Sequence, residues 1–187
     1  MQNFTNDLLK AKWTEHAIEL LMNSNGFFTQ PMDHRIFPYD ITASKSLDKP
    51  ITIEVKALNW GRASYPTGVL EVYSNDSKTK RPQWIAYNDK VSVIAAINMA
   101  DFKVHFFNAT KLMEHFEELE LQGSHMYPAH AGASSRNDCP GFTYKFAWQD
   151  KSIGHMFSAD LKPFLLSSLK VYSSMATKFS SIVKALQ

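Results

Sequence analysis

The run FPYDITA at residues 37–43 is followed, after a short polar segment, by the run ITIEVKAL at residues 51–58. Both runs contain β-branched residues, and the segment between them is rich in Ser, Lys, Asp and Pro, which predicts two adjacent strands joined by a turn. Alternation in the second run places Glu54 and Lys56 on one face of its strand, roughly 7 Å apart along the chain. The neighbouring strand would bring Asp40 to the same place.

Such a group suits a hard cation, because Mg²⁺ is held by one or two carboxylates while water and substrate phosphate complete its octahedron. An acid two residues before a lysine is nevertheless a common pattern, and this chain also has it at Asp76/Lys78, Asp101/Lys103 and Asp160/Lys162. The first and last of these pairs lie in a polar run and at a predicted helix start, which is typical of solvated surface charges. The middle pair belongs to a predicted turn between two strands. From spacing alone, the favoured interpretation of Glu54 and Lys56 is the wet face of a half-exposed strand.

The two runs resemble the PD-(D/E)xK nuclease superfamily, with PYDI at residues 38–41 as the first acid element and EVK at residues 54–56 as the acid-x-Lys element. The order of elements is similar to that of archaeal Holliday-junction resolvases and small phage endonucleases, in which the strand pair follows a helix that bears a glutamate. In this chain that glutamate is Glu15. The resemblance covers about residues 8–121 and leaves the carboxy-terminal third unmatched.

The resemblance implies a restriction-endonuclease-like core, which is an α/β fold with a central mixed β-sheet flanked by helices. It also implies a Mg²⁺- or Mn²⁺-dependent deoxyribonuclease that hydrolyses phosphodiester bonds, encoded by a phage and acting in the host cytoplasm. In that assignment Asp40, Glu54 and the main-chain carbonyl of Val55 hold the metal, while Glu15 and Lys56 complete the catalytic set. With a reference pKa near roughly 10.4, Lys56 acts as a base only if desolvation lowers that value substantially. Two flanking carboxylates favour the ammonium form, and therefore a positioning role for Lys56.

Residues 7–24 predict a helix that begins near Asn6 or Asp7 and ends at Gly26. Glu15 falls among the apolar positions of this helix, whereas Lys12 recurs with other polar residues on the opposite side. Two interpretations of Glu15 stay open. It is either a carboxylate at the edge of the apolar stripe that reaches water, or a third carboxylate near the metal.

Further strands are predicted at residues 26–30, 69–73, 91–97, 102–107 and 142–148, with a helix over residues 109–121 capped by Asn108 and a long helix from residue 161. A helix, several strands and then a helix predict an α/β fold. We expect residues 1–121 to form the nuclease-like core. Residues 122–187 are expected to form a loop, short strands and the long helix, packed on the same domain. Glu71 either approaches the metal from a neighbouring strand or faces solvent.

Four cationic residues are candidates for DNA binding. Arg62 lies in the loop after the acid-x-Lys strand, and Lys78, Lys80 and Arg81 crowd a predicted loop that ends at Pro82. Cations that meet phosphate supply much of the affinity of proteins for DNA. The alternative is that these residues are ordinary solvated surface charges.

Length, composition and net charge limit the classes of protein to which this chain can belong. The chain has 187 residues and 44% apolar content, which suffices for one well-buried domain. A net charge of +2 excludes a histone-like polycation, so nucleic-acid binding has to come from local patches. The single cysteine, Cys139, excludes an internal disulfide and favours a reducing compartment. The lack of an 18-residue apolar stretch and of a signal peptide predicts a soluble cytoplasmic protein with no membrane partner.

Two other functions are compatible with the same residues. One is a non-enzymatic phage protein that keeps the nuclease fold and binds DNA or a host protein, although the intact Asp40, Glu54 and Lys56 speak against it. The other is a plain α/β domain in which Glu54 and Lys56 are surface charges. DNA is the predicted partner, and a homodimer is left open.

Overall fold

The computed structural model of the chain describes residues 2–33, 36–46, 49–60, 67–76, 79–82, 90–121, 127–128, 142–178 and 180–186. The first elements are helix α1 (Gln2–Ser24) and strands β1 (Phe28–Pro31), β2 (Ile41–Ser44), β3 (Ile51–Leu58), β4 (Thr67–Asp76) and β5 (Thr79–Pro82). They are followed by strands β6 (Val93–Asn98) and β7 (Lys103–Asn108) and by helix α2 (Ala109–Leu121). The remaining elements are strands β8 (Tyr127–Pro128), β9 (Phe142–Ala147) and β10 (His155–Asp160) and helices α3 (Lys162–Ser168), α4 (Ser174–Lys178) and α5 (Ser180–Leu186).

The central feature is a six-stranded sheet in the order β1-β2-β3-β6-β7-β10. Strands β3 and β6 run parallel, and all other neighbours are antiparallel, so the sheet is mixed. This confirms the predicted α/β class. A second, four-stranded antiparallel sheet has the order β5-β4-β9-β8. None of the described helices combines the length and the apolar character needed to cross a membrane.

Helices cover both faces of the six-stranded sheet. On one face, Ile53 of β3 packs in a buried cluster with Trp13 of α1 and Leu165 of α3. On the other face, Ile94 of β6 packs with Leu112 of α2. Every residue of β6 is buried, as expected for a strand enclosed by helices on both sides.

Several boundaries differ from the sequence prediction. Helix α1 begins at Gln2 rather than near residue 7, although it ends as predicted, with Gly26 in the left-handed region at φ 79°. The predicted long helix from residue 161 is wrong, because α3 ends at Ser168 and residues 169–173 are not helical. The carbonyl of Ser168 accepts from the amides of both Val171 and Tyr172, which closes a turn and redirects the chain.

The carboxy-terminal segment belongs to the same sheet and is anchored to α1. Strand β10, which the sequence did not predict, pairs with β7 at the sheet edge, so a core ending at residue 121 would lack this strand. The Trp13 Nε1 donates to the carbonyl of Leu165 at 3.1 Å, and the Ser168 hydroxyl donates to the carbonyl of Trp13 at 3.1 Å. His16 Nδ1 lies 2.9 Å from the same hydroxyl, and the His16 ring meets the ring of Tyr172 edge-on. These buried contacts fix α3 against α1.

A buried histidine joins β7 to β10. His105 is 2% exposed, stacks on Trp148 and lies with its Nδ1 2.8 Å from the hydroxyl of Ser158, which also meets His155 Nε2 at 2.9 Å. Within the described part of the chain, His105 Nε2 and His155 Nδ1 have no hydrogen-bond partner. Burial is the main cause that lowers the pKa of His105 from 6.5 to about 4, because the imidazolium would lose its hydration there.

This lowered pKa predicts a loss of stability on acidification. Below pH 6.5 the unfolded chain takes up a proton at residue 105, whereas the folded protein resists protonation down to about pH 4. The stabilisation is therefore present above pH 6.5 and is lost as the pH falls through 4. Between pH 7 and pH 4.5 we expect the wild type to lose about 1 to 2 kcal/mol more unfolding free energy than His105→Gln, measured by urea unfolding. Parallel curves for the wild type and His105→Gln would contradict the assignment.

Candidate functional site

The site forms where β2 separates from β3. The two strands pair from Ala43↔Ile51 to Ile41↔Ile53, and the amide of Asp40 still donates to the carbonyl of Ile53 at 3.0 Å. Beyond this point the side chain of Asp40 replaces a backbone acceptor, because its Oδ2 accepts a hydrogen bond from the amide of Val55 at 2.8 Å. A carboxylate thus occupies the place of a backbone partner and lies in the plane of the sheet.

Glu54 lies beside Asp40 on the α2 side of the sheet. It is in register with Ile94, whose side chain packs against α2. Glu54 is only 6% exposed, so it is not the solvated member of a wet strand face. Burial is the largest influence that raises its pKa from 4.5 to about 7; the Asp40 carboxyl group adds to this through its charge and a hydrogen bond, and Lys56 opposes it.

Lys56 forms an ion pair with Glu54. Its Nζ lies 2.5 Å from Glu54 Oε1, and its side chain is 38% exposed. The ammonium group of Lys56 therefore lies between the buried carboxylate of Glu54 and the solvent. Asp40, Glu54 and Lys56, which the sequence predicted to converge, are linked through direct contacts at this point.

Glu15 approaches from the other face of the sheet. Helix α1 packs against β2 and β3, and it carries Glu15 to a position where the side chain is 8% exposed. Lys12, one turn earlier on α1, places its Nζ 2.6 Å from Glu15 Oε2. Of the two interpretations of Glu15, the structure supports the inward-facing carboxylate rather than one that reaches water.

Asp40 connects the two faces electrostatically. Burial tends to lower the pKa of Lys12, yet the hydrogen bond to Glu15 and the charges of Glu15 and Asp40 raise it overall. Charged groups therefore follow one another across the split between the strands, in the order Lys56, Glu54, Asp40, Lys12, Glu15, with the two carboxylates Glu54 and Asp40 side by side.

The donor set is suited to a hard divalent cation. In the described part of the chain, no three acidic, histidine or cysteine side chains are already gathered as a metal cage. Mg²⁺, however, needs only one or two protein carboxylates and keeps its waters or takes substrate oxygens. Asp40 and Glu54 provide two carboxylates whose mutual repulsion a cation would relieve. The carbonyl of Val55 points to the same side of β3 as its amide, and therefore towards Asp40.

The structure describes only two of the four residues predicted to bind DNA. Arg62 and Lys78 lie outside the described residues. Lys80 and Arg81 lie in strand β5, which is paired with β4, so the predicted loop is wrong at these two positions. Glu71 lies on β4, which belongs to the second sheet, so its strand is not a neighbour of β3 in the six-stranded sheet.

Sequence analysis missed two residues near the acidic groups. Lys12 was assigned to the polar side of α1, although its position three residues before Glu15 is the spacing of a helical ion pair. Tyr172 falls within the predicted long helix from residue 161 and carries no signal of its own in the sequence. Burial is the main cause that raises its pKa, and the charges of Glu15 and Glu19 contribute, which places the tyrosine in the field of these acids. No local sequence signal links residue 172 to α1.

The raised pKa of Glu54 predicts a destabilising carboxylate in the metal-free protein. A folded-state pKa of about 7 against 4.5 gives stability that is fully present below pH 4.5 and is lost as the pH rises through 7. At pH 8 in EDTA, Glu54→Gln should therefore raise the free energy of unfolding by about 2 kcal/mol, and at pH 5 by less than about 1 kcal/mol. Urea unfolding at both pH values tests this.

Glu118→Gln is the matched control, because Glu118 is an exposed glutamate on α2. This variant should leave the free energy of unfolding unchanged within about 0.5 kcal/mol at both pH values. A Glu54→Gln protein that is less stable than the wild type at pH 8 would mean that the charged carboxylate stabilises the metal-free fold.

Comparisons with family models, curated proteins and solved structures give no match to this chain. The resemblance to the PD-(D/E)xK superfamily therefore rests on the short motifs around Asp40 and Glu54. The structure contributes independent geometry, in which Asp40, Glu54 and Lys56 are in contact and the Glu15–Lys12 pair lies across the sheet from them.

Proposed function

We propose that this protein is a metal-dependent DNA nuclease of the PD-(D/E)xK type, built on a restriction-endonuclease-like core, that hydrolyses phosphodiester bonds. One observation carries the proposal. A buried glutamate is held against a second carboxylate and a lysine, at a point where two paired strands separate.

A structural role alone explains this arrangement poorly. Burying Glu54 beside Asp40 costs free energy, because two carboxylates repel each other and burial removes their water. An apolar residue at position 54 would continue the buried surface of β3 without that cost. Strongly perturbed carboxylates are typical of sites where charge is used in chemistry.

The metal-binding role falls to a small set of groups. Asp40, Glu54 and the carbonyl of Val55 would hold Mg²⁺ or Mn²⁺. When bound, the cation would lower the pKa of a water molecule and offset the negative charge that develops on the phosphorus centre. Asp40 is held in place for this role by the hydrogen bond that its Oδ2 accepts from the Val55 amide.

Lys56 would orient the scissile phosphate or the attacking water. Its contact with Glu54 favours the ammonium form, so positioning and charge stabilisation fit better than proton abstraction. Its partial exposure lets it reach a substrate that approaches from solvent. Glu15 would act from the α1 side, as the third carboxylate of the catalytic set.

DNA is the substrate that the proposal assigns. Arg62, Lys78, Lys80 and Arg81 stay the candidates for contacts with the phosphate backbone. A phage origin and action in the host cytoplasm belong to the same proposal. They rest on the resemblance rather than on the geometry of the site.

Plasmid and junction cleavage would test the activity. The purified protein is incubated with supercoiled plasmid, linear duplex and a four-way junction in Mg²⁺ or Mn²⁺. We expect cleavage of at least one substrate, its complete loss in EDTA, and a loss of at least about 100-fold in Glu54→Gln, Asp40→Asn and Lys56→Ala. The spread of activity over the three substrates would indicate the substrate class.

Asp101→Asn is the matched control for these variants. Asp101 also precedes a lysine by two residues, but it is exposed in the turn before β7, where its Oδ1 accepts from the Lys103 amide at 3.1 Å. Its cleavage rate should equal that of the wild type. Cleavage that survives in Glu54→Gln would point to a contaminating nuclease, and no cleavage of any substrate would favour the non-enzymatic DNA- or protein-binding alternative.

A further inference from the structure

One half of the α2-side face of the six-stranded sheet is polar. Helix α2 packs on this face over β6 and β7, where apolar side chains form a buried cluster with it. In β2, Ile41 and Ala43 belong to the cluster on the opposite side, under α1. Successive side chains of a strand alternate between the two faces, so Thr42 and Ser44 lie on the α2 side. The polar half of the α2-side face therefore lies over β1, β2 and β3.

The pairing of the strands arranges this polar half in rows. Asp40 and Glu54 lie side by side in the first row. The second row consists of side chains that carry hydroxyl or amide groups, namely Gln30, Thr42, Thr52 and Ser92. In the third row, Phe28 of β1 is in register with Ser44 of β2. The acids of the candidate site therefore lie at one end of a polar surface that continues towards the sheet edge.

Phe28 is an apolar side chain on this polar half. It is 73% exposed, whereas the preceding residue, Phe27, packs against the buried cluster under α1. A single exposed phenylalanine needs no explanation by itself. This one shares a face with the acids, two rows along and two strands across from Glu54, which places their Cα atoms roughly 16 Å apart. Hydroxyl and amide side chains lie between them.

Lysines lie on both sides of the acids along β3. The Thr52 hydroxyl donates to the carbonyl of Lys90 at 2.6 Å, which fixes the main chain of Lys90 beside the second row. The side chain of Lys90 is exposed, as is that of Lys49, which precedes β3 by two residues. On the other side of Glu54, Lys56 is 38% exposed. This arrangement of positive charge suits a polyanion that runs past the acids.

An exposed aromatic ring near cations is typical of surfaces that bind single-stranded nucleic acid. A base stacks on such a ring through its π face, which all bases have. In a duplex the neighbouring base pairs cover these faces, and a base reaches a protein ring only after it leaves the stack. The separation of Phe28 from Glu54 corresponds to no more than about five nucleotides, at a rise of about 3.4 Å or more per nucleotide.

We propose that the polar half of the sheet and Phe28 form a binding surface for a single DNA strand, which runs from Asp40 and Glu54 to the ring of Phe28. The inference rests on the proposed function and deepens it, because it names single-stranded DNA as the substrate class. Phe28 stacks on an unpaired base, and Lys90 binds a phosphate beside the second row. Both residues hold the strand away from the scissile bond.

Fluorescence anisotropy in EDTA tests the surface without cleavage. A fluorescein-labelled oligothymidylate is compared with the same strand annealed to oligoadenylate, and the wild type should bind the single strand more tightly. Phe28→Ala should weaken single-strand binding at least about 5-fold and leave duplex binding unchanged within about 2-fold. Phe28→Trp should keep the wild-type affinity. Phe28→Leu, which is apolar but has no ring, should bind as weakly as Phe28→Ala.

Residues in the turn after α3 provide matched controls. Val171→Ala removes another exposed apolar side chain, at a position that is 65% exposed, and it should keep the wild-type affinity. Lys90→Gln should reduce the slope of log affinity against log salt concentration by about 0.7, because one phosphate contact of a single strand is lost. Lys170→Gln, at an exposed lysine of the same turn as Val171, should leave the slope unchanged.

The outcomes separate this inference from the proposed function. Equal binding of oligothymidylate by Phe28→Ala and the wild type, or a wild type that prefers the duplex, overturns the surface and leaves a metal-dependent nuclease standing. Tighter binding of oligouridylate than of oligothymidylate assigns the surface to RNA and overturns the DNA assignment. Binding through Phe28 without cleavage of any DNA in Mg²⁺ or Mn²⁺ overturns the nuclease and leaves a DNA-binding surface. Cleavage of oligothymidylate with a raised KM in Phe28→Ala supports both.

Discussion

The site depends on the way in which Asp40 ends the pairing of β2 with β3. Its amide makes the last backbone contact, to Ile53, and its carboxylate makes the next contact, to the amide of Val55. The Asp40 carboxylate thus accepts a hydrogen bond from the Val55 amide, which would otherwise have no strand partner. Leaving that amide buried and unpaired would cost free energy. Because this carboxylate lies in the plane of the sheet, it can interact with Glu54 on one face and with Lys12 of α1 on the other.

The strands of the site and their charged residues are the part that the sequence predicts well. Alternation places Glu54 and Lys56 on one face, and the polar segment before β3 predicts the antiparallel pairing with β2. Local chemistry also predicts that α2 begins after Asn108, whose side chain caps the amide of Lys111 at 3.0 Å. Each of these features depends on neighbours within a few residues, which is why periodicity and capping rules are sufficient.

Other features depend on packing between distant segments, and no local pattern contains them. Alternation alone predicts that Glu54 is solvated, whereas α2 and its cluster cover that face and bury it. The proximity of Lys12 to Asp40 follows from the path of α1 across the sheet. The end of α3 at Ser168 follows from the docking of this residue against Trp13, which outweighs the helical spacing of the apolar residues that follow.

Residues near the carboxy terminus contact helix α1, which carries Lys12 and Glu15 of the candidate site. The charge interaction between Lys12 and Asp40 depends on the position of α1, because Asp40 lies at the sheet and the interaction weakens as the separation of the two charges grows. Two buried hydrogen bonds hold α1 two residues before Glu15: Trp13 Nε1 donates to the Leu165 carbonyl, and the Ser168 hydroxyl donates to the Trp13 carbonyl. The ring of Tyr172 packs on that of His16, which directly follows Glu15. Residues 165–172 therefore brace the helix that carries Lys12 and Glu15. The geometry of the candidate site therefore depends on residues beyond the first 121.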